Sequence, residues 1–200
     1  MTKQRPWVHR VETGKETVAT SAAAIQQSRT GSTMANTKGL NELMLSFMED
    51  IFYAERQILK ALPKMAKAAQ NEQLKQALMH HREETQGQVE RLQKGFELMG
   101  KRARAKTCEA INGIIEEGDE VVEEFEAGPL RDAGILANAQ AVEHYEMARY
   151  GTIIAWAKAS GHNELVQLME ETLSEEKNAD KLLTDISSKE INQAAVKQAD

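Results

Sequence analysis

Leu74-Lys-Gln-Ala-Leu78-Met-His-His81-Arg-Glu-Glu84-Thr-Gln-Gly-Gln88-Val-Glu-Arg-Leu92 is the stretch on which the fold turns. Leu74, Leu78 and Leu92 recur at the spacing of one helix face, and so do His81, Glu84 and Gln88 between them. The buried stripe of this helix is therefore interrupted at mid-length by an imidazole, a carboxylate and an amide. Polar groups in such a place need partners from facing helices, because burial without partners costs several kcal/mol, on the order of 2–7 for a neutral group and more for a charge.

Working outward, three more stripes have the same interruption. Upstream, Leu40, Met44, Met48, Ile51, Ile58, Leu62 and Met65 predict a helix to about Ala69, with Glu55 inside its apolar face and Pro63 removing one backbone donor and kinking the helix there. Asn71 to Gln73 reads as the turn into the quoted helix, which Leu92, Phe96 and Met99 extend to a stop at Gly100. Downstream, Ile135, Leu136, Met147, Tyr150, Ile154 and Ala157 predict a third helix, ended by Ser160-Gly161, with Glu143 on the stripe and Glu146 one turn on. Leu165, Met169, Thr172, Leu183 and Ile186 predict a fourth, with Glu176 on its buried side.

Two tightly joined pairs, separated by a long connection from Lys101 to Gly128, predict an all-α fold: a ferritin-like four-helix bundle of two helical hairpins with one long crossover. Glu55 precedes Leu74 by the interval at which Glu146 precedes Leu165, so the hairpins resemble each other. Residues 38–188 are read as the bundle and 189–200 as a frayed tail. Residues 1–37 are read as a disordered basic extension, rich in Gly, Ser and Thr, in which Lys3, Arg5, Arg10, Lys15 and Arg29 outnumber Glu12 and Glu16. Met34 is a candidate natural start.

Composition supports this reading and removes rivals. Of 200 residues, 28% are charged and 41% hydrophobic, as in a globular chain, while aromatics are only 4% and strand formers are scarce. No stretch approaches the roughly 20 apolar residues of a membrane span. A single cysteine, Cys108, excludes an internal disulfide and suits a reducing, cytoplasmic compartment. A net charge of −6 argues against general nucleic-acid affinity. There is no Gly-rich phosphate loop, no Gly-x-Ser-x-Gly elbow and no CxxC pair.

Four helices that each bring a carboxylate to mid-length create a repulsion that bound cations relieve better than the few basic residues on these stripes. The candidate metal ligands are Glu55, Glu84, Glu143, Glu146, Glu176 and His81. Their oxygen-rich set suits two iron ions, or manganese. His80, His144 and the acidic run from Glu116 to Glu126 read as solvated, Tyr150 as a core aromatic and Cys108 as structural.

The segments Asp50-Ile-Phe-Tyr-Ala-Glu55-Arg-Gln-Ile-Leu-Lys-Ala-Leu-Pro63-Lys-Met-Ala-Lys67, His81-Arg-Glu-Glu84-Thr-Gln-Gly-Gln88, Ala141-Val-Glu143-His-Tyr-Glu146 and Glu175-Glu176-Lys-Asn-Ala-Asp180 together closely resemble the YciE/YciF family of ferritin-like proteins over about residues 38–188. The resemblance implies the ferritin-like fold, frequent homodimers and a bacterial stress association, but no settled reaction. Against the wider di-iron pattern, Gly87 and Ala179 stand where Glu-x-x-His would place imidazoles after Glu84 and Glu176. His81 could supply nitrogen from the preceding turn, and Gln88 and Asp180 oxygen. Dioxygen or peroxide is the expected small-molecule substrate. The competing readings are a non-enzymatic helical stress protein acting through self-association, and a DNA protector using the basic extension.

Overall fold

The computed structural model describes residues 39–199. The extension 1–37, with Met34, lies outside the described residues. Among the described residues the protein is entirely helical: α1 (Leu40–Ala68), α2 (Glu72–Leu98), α3 (Glu109–Glu124), α4 (Pro129–Ala159), α5 (Asn163–Ile186), a π-helical turn (Ser187–Ile191) and α6 (Asn192–Ala199). α1 packs on α2 and α4 on α5; the two pairs meet through α2 against α5 and α1 against α4, and α3 lies across α1 and α4.

The helix ends follow from local chemistry. Gly100 and Gly161 both take positive φ, 65° and 76°. At each, two backbone bonds close the last turn: Gly100 to Glu97 and Lys101 to Phe96 after α2, Gly161 to Lys158 and His162 to Ala157 after α4. This double closure needs a left-handed residue just past the helix, where glycine avoids a steric cost. Asn71 caps α2, its Oδ1 accepting from the Leu74 amide at 3.0 Å. Leu74 and Leu165, the pair matched by interval in the sequence, each lie three residues past the capping position and both are buried. α1 is unbroken through Pro63.

A contact between distant segments fixes the first hairpin to the second. Asp132, buried near the start of α4, accepts from the amides of Gln70 (2.7 Å) and Asn71 (2.8 Å) in the α1–α2 turn. The crossover helix sits close on α4. A side chain at Gly118 would come within 2.4 Å of Asn138, whose amide donates to the Ile114 carbonyl at 2.6 Å. The acidic residues of α3 face solvent, as the sequence suggests.

One expectation is corrected. The residues after Ser188 do not fray but continue as helix. The wider π turn brings Ile191 back to the buried side that Ile186 occupies. Polar contacts hold the segment in place. Glu190 accepts from Asn71 (3.0 Å) and from Gln73, and Gln198 accepts from the Leu130 amide (3.2 Å).

Candidate metal centre

α2, α4 and α5 bring four donors together at the middle of the bundle. His81 Nε2 lies 3.3 Å from Glu143 Oε1, 3.8 Å from Glu146 Oε2 and 3.9 Å from Glu176 Oε2. One ligand atom from each of His81, Glu143, Glu146 and Glu176 lies within 4.8 Å of all the others, and all four residues are buried. This group could hold a metal ion.

Glu55 and Glu84 stand outside that group, Glu55 next to Glu146 and Glu84 next to His81. Glu55 of α1 is fully buried beside Glu146, and its Oε1 accepts from the Tyr150 hydroxyl. Glu84 is 22% exposed, with Oε2 3.7 Å from His81 Nδ1 and Oε1 3.4 Å from His80 Nε2. Tyr150 is thus a core aromatic, as read from its stripe position, that also positions a carboxylate. The signal for that second role was present: it lies one turn past Glu146 on the buried face.

Several groups around the cluster hold its side chains in place. Gln88 donates to Glu176 and, at 3.1 Å, to Glu175. Arg91 in turn engages Glu175, Glu171 (3.0 Å) and Thr172 (2.9 Å). The amide nitrogen of Gln88 is therefore engaged while its oxygen is left over. Asp180, the other oxygen donor suggested by the sequence, is turned away. It accepts from Gln140 (3.1 Å) and meets His144 (3.2 Å) near the surface. His80 and His144 are exposed, and Cys108 is buried with its thiol 2.8 Å from the Tyr145 hydroxyl.

Proton affinities in the cluster are shifted by burial first. Loss of water pushes Glu143 and Glu146 up to about 7 and Glu55 and Glu176 well above the ordinary range. The Glu146 charge adds to the rise at Glu55, and the Glu176 charge to the rise at Glu146. Burial works against a charged His81, but Glu143, followed by Glu146, Glu84 and Glu176, outweighs it and holds the imidazole well above its usual value. Glu84 moves the other way, lowered first by the neighbouring His81 imidazole. The cluster consequently carries protons near neutral pH that a cation would displace.

Even so, the donors are not satisfied by one another. Glu55 Oε2, both nitrogens of His81, Gln88 Oε1, Glu143 Oε2, both oxygens of Glu146 and Glu176 Oε2 have no hydrogen-bond partner among the described residues. Buried polar atoms are paired in the great majority of cases, so eight in one place mark a site shaped for something else.

The comparisons with known proteins agree on kinship. The family described as "Domain of unknown function (DUF892)" matches residues 39–196. The chain belongs to the DUF892 family. Within it, protein YciF of Escherichia coli (strain K12) is 40% identical over 165 residues, 82% of this chain and 99% of YciF. The crystal structure of YciF, described as an E. coli stress protein, superposes with a TM-score of 0.75 over 78% of this chain and 99% of that one, at 40% identity. YcfI from Rhodopseudomonas palustris superposes with a TM-score of 0.73 at 47% identity, over 76% of this chain and 96% of that one. The YciF resemblance read from the four segments is borne out. A Xanthomonas campestris pv. campestris protein, 20% identical with a TM-score of 0.60 over 75% of this chain and 92% of its own, shares the fold. Among the described residues no helix is long and apolar enough to cross a membrane.

Proposed function

We propose that this DUF892 protein is a ferritin-like di-metal carboxylate protein of stress defence, a cytoplasmic homodimer that reacts with dioxygen or peroxide. One observation carries the reading: eight unpartnered buried donor atoms converge where α1, α2, α4 and α5 meet. His81, Glu143, Glu146 and Glu176 would form the centre of the ligand set. Glu55, next to Glu146, and Glu84, next to His81, would extend the set to two ions. Three carboxylates and one imidazole, with two more carboxylates beside them, are the donors that iron and manganese prefer in helical bundles. Bound there, those metals would supply one-electron redox chemistry toward dioxygen or hydrogen peroxide.

The residues of the chain have their own part. Tyr150 holds one Glu55 oxygen and leaves the other without a hydrogen-bond partner. Gln88, steadied through Glu175 and Arg91, does the same for Glu176. Such outer contacts fix the orientation of ligands and tune their basicity. Ile58 and Leu62 of α1 are buried beside Glu143 on the closed flank of the site. The stress role is carried over from the description of YciF.

Elemental analysis of protein purified without chelator tests the proposal. About two iron or manganese ions per chain are expected, lost in Glu176→Ala. Protein that stays metal-free after anaerobic loading with Fe(II) would refute it. That outcome would favour a second reading, supported by the raised His81 and glutamate pKa values. In it the acids share protons with the imidazole as a structural network, and function lies in self-association.

A further inference from the structure

The buried cluster needs a way in from solvent, and two flanks of the bundle differ sharply in offering one. Between α2 and α5 lies a cavity of about 110 Å³, room for several waters, walled by Ala77, Ala179 and Leu182. His81 and Glu143 line the same cavity, and both bear unpartnered atoms though they are only 4% and 2% exposed. On the opposite flank, between α1 and α4 beneath α3, the gap that reaches Glu143 is about 10 Å³, no more than one water occupies.

Donor atoms run in sequence along the open flank. His80, 65% exposed, places Nε2 3.4 Å from Glu84 Oε1. Glu84 Oε2 is 3.7 Å from His81 Nδ1, and His81 Nε2 is 3.3 Å from Glu143 Oε1. The first pair is four residues apart on α2 and the second three, so one helix carries the row from surface to core. A divalent first-row ion has bonds of about 2 Å and can be held by two donors roughly 3–3.5 Å apart. Apolar walls offer an ion nothing in place of its water, so the donors at rim and floor must supply it.

Resting on the metal-centre reading above, we infer that divalent metal ions reach the cluster through the α2/α5 cavity, with His80 and Glu84 as the pair that takes them from solvent. His80 is a transfer residue and not a ligand of the final site. Its loss should therefore slow filling and leave the filled state unchanged. Blocking the cavity from the α5 wall, away from any donor, should do the same by a different means.

The test uses the full chain stripped of metal, mixed rapidly with Mn(II) in the presence of a fluorescent Mn(II) indicator. His80→Ala and Ala179→Phe should each slow uptake tenfold or more, with final Mn(II) content within twofold of the parent protein. Circular dichroism establishes first that each variant is folded, and Ala179→Leu replaces the phenylalanine variant if it is not. Wild-type uptake rates in a folded variant of either position overturn the inference while leaving the metal centre standing. A parent protein that retains no Mn(II) at equilibrium overturns both, and that result is seen before any rate is compared.

Discussion

Replacing Glu146 with glutamine should make the metal-free protein more stable at alkaline pH while removing its response to metal. Glu146 is fully buried, and its carboxyl is raised from the ordinary 4.5 to about 7, by burial first and then by the Glu176 charge. A carboxyl raised on folding contributes stability that is fully present below about 4.5 and is lost as pH climbs through 7. The rise corresponds to about 3 kcal/mol once pH exceeds both values. Glutamine keeps the shape and cannot ionise. It also removes one of the charges that raise Glu55 and Glu143. For a chain of this size, roughly 2–4 °C per kcal/mol applies, so the variant should melt about 6–12 °C higher at pH 8 after chelation, and close to the parent at pH 5. Mn(II) at about a hundredfold excess over its dissociation constant should add about 2.7 kcal/mol to the parent and nothing to the variant. The assay is thermal unfolding by circular dichroism at both pH values, with and without Mn(II). A chelated variant that melts below the parent at pH 8 would refute the reasoning, because it would show that Glu146 is stabilised by His81 and not stranded.

Metal affinity should strengthen from pH 6 to pH 8, since Glu143 and Glu146, both at about 7, and His81 must give up protons to become ligands; calorimetric titration showing a pH-independent dissociation constant would contradict this. Asp132→Ala strands two backbone amides in the α1–α2 turn and should cost about 2–4 kcal/mol in urea unfolding, with a loss under 1 kcal/mol showing that solvent satisfies them. Gly118→Ala forces the Asn138 side chain off the Ile114 carbonyl and should cost about 1–3 kcal/mol, read in the same assay; an unchanged midpoint would mean that α3 shifts freely on α4. Ile191→Ala should cost about 2 kcal/mol if the last helix is part of the packed domain, whereas a neutral result would mean that it is not.

Local signals made most of the architecture readable. Gly100 and Gly161 end their helices as the sequence suggests because the left-handed closure depends on one residue and its immediate neighbours. The acids on the stripes could be read because a carboxylate at a core position breaks a pattern of period 3.6. Which of them meet was less legible. Glu84 sits on the same face as His81, yet its side chain is partly in solvent while Glu143, Glu146 and Glu176 close on the imidazole. That distinction depends on how α2 is rotated against α5, which no single helix encodes. Asp132 escaped notice for a related reason: its partners are backbone amides about 60 residues away. The docked last helix was not legible because one isoleucine and three polar contacts hold a segment whose composition reads as a tail.

The position of α3 gives the molecule a front and a back. With Gly118 seated against Asn138 and Gly134 against Val121, the crossover helix lies flush on α4, and the gap beneath it that reaches Glu143 is only about 10 Å³. Among the described residues the α2/α5 flank has no such cover. A second protein molecule that docks on the α3 side leaves the core in exchange with solvent; one that docks across α2 and α5 shuts it in. The face on which a second copy docked would therefore set whether assembly left the proposed metal chemistry open to solvent or shut it in.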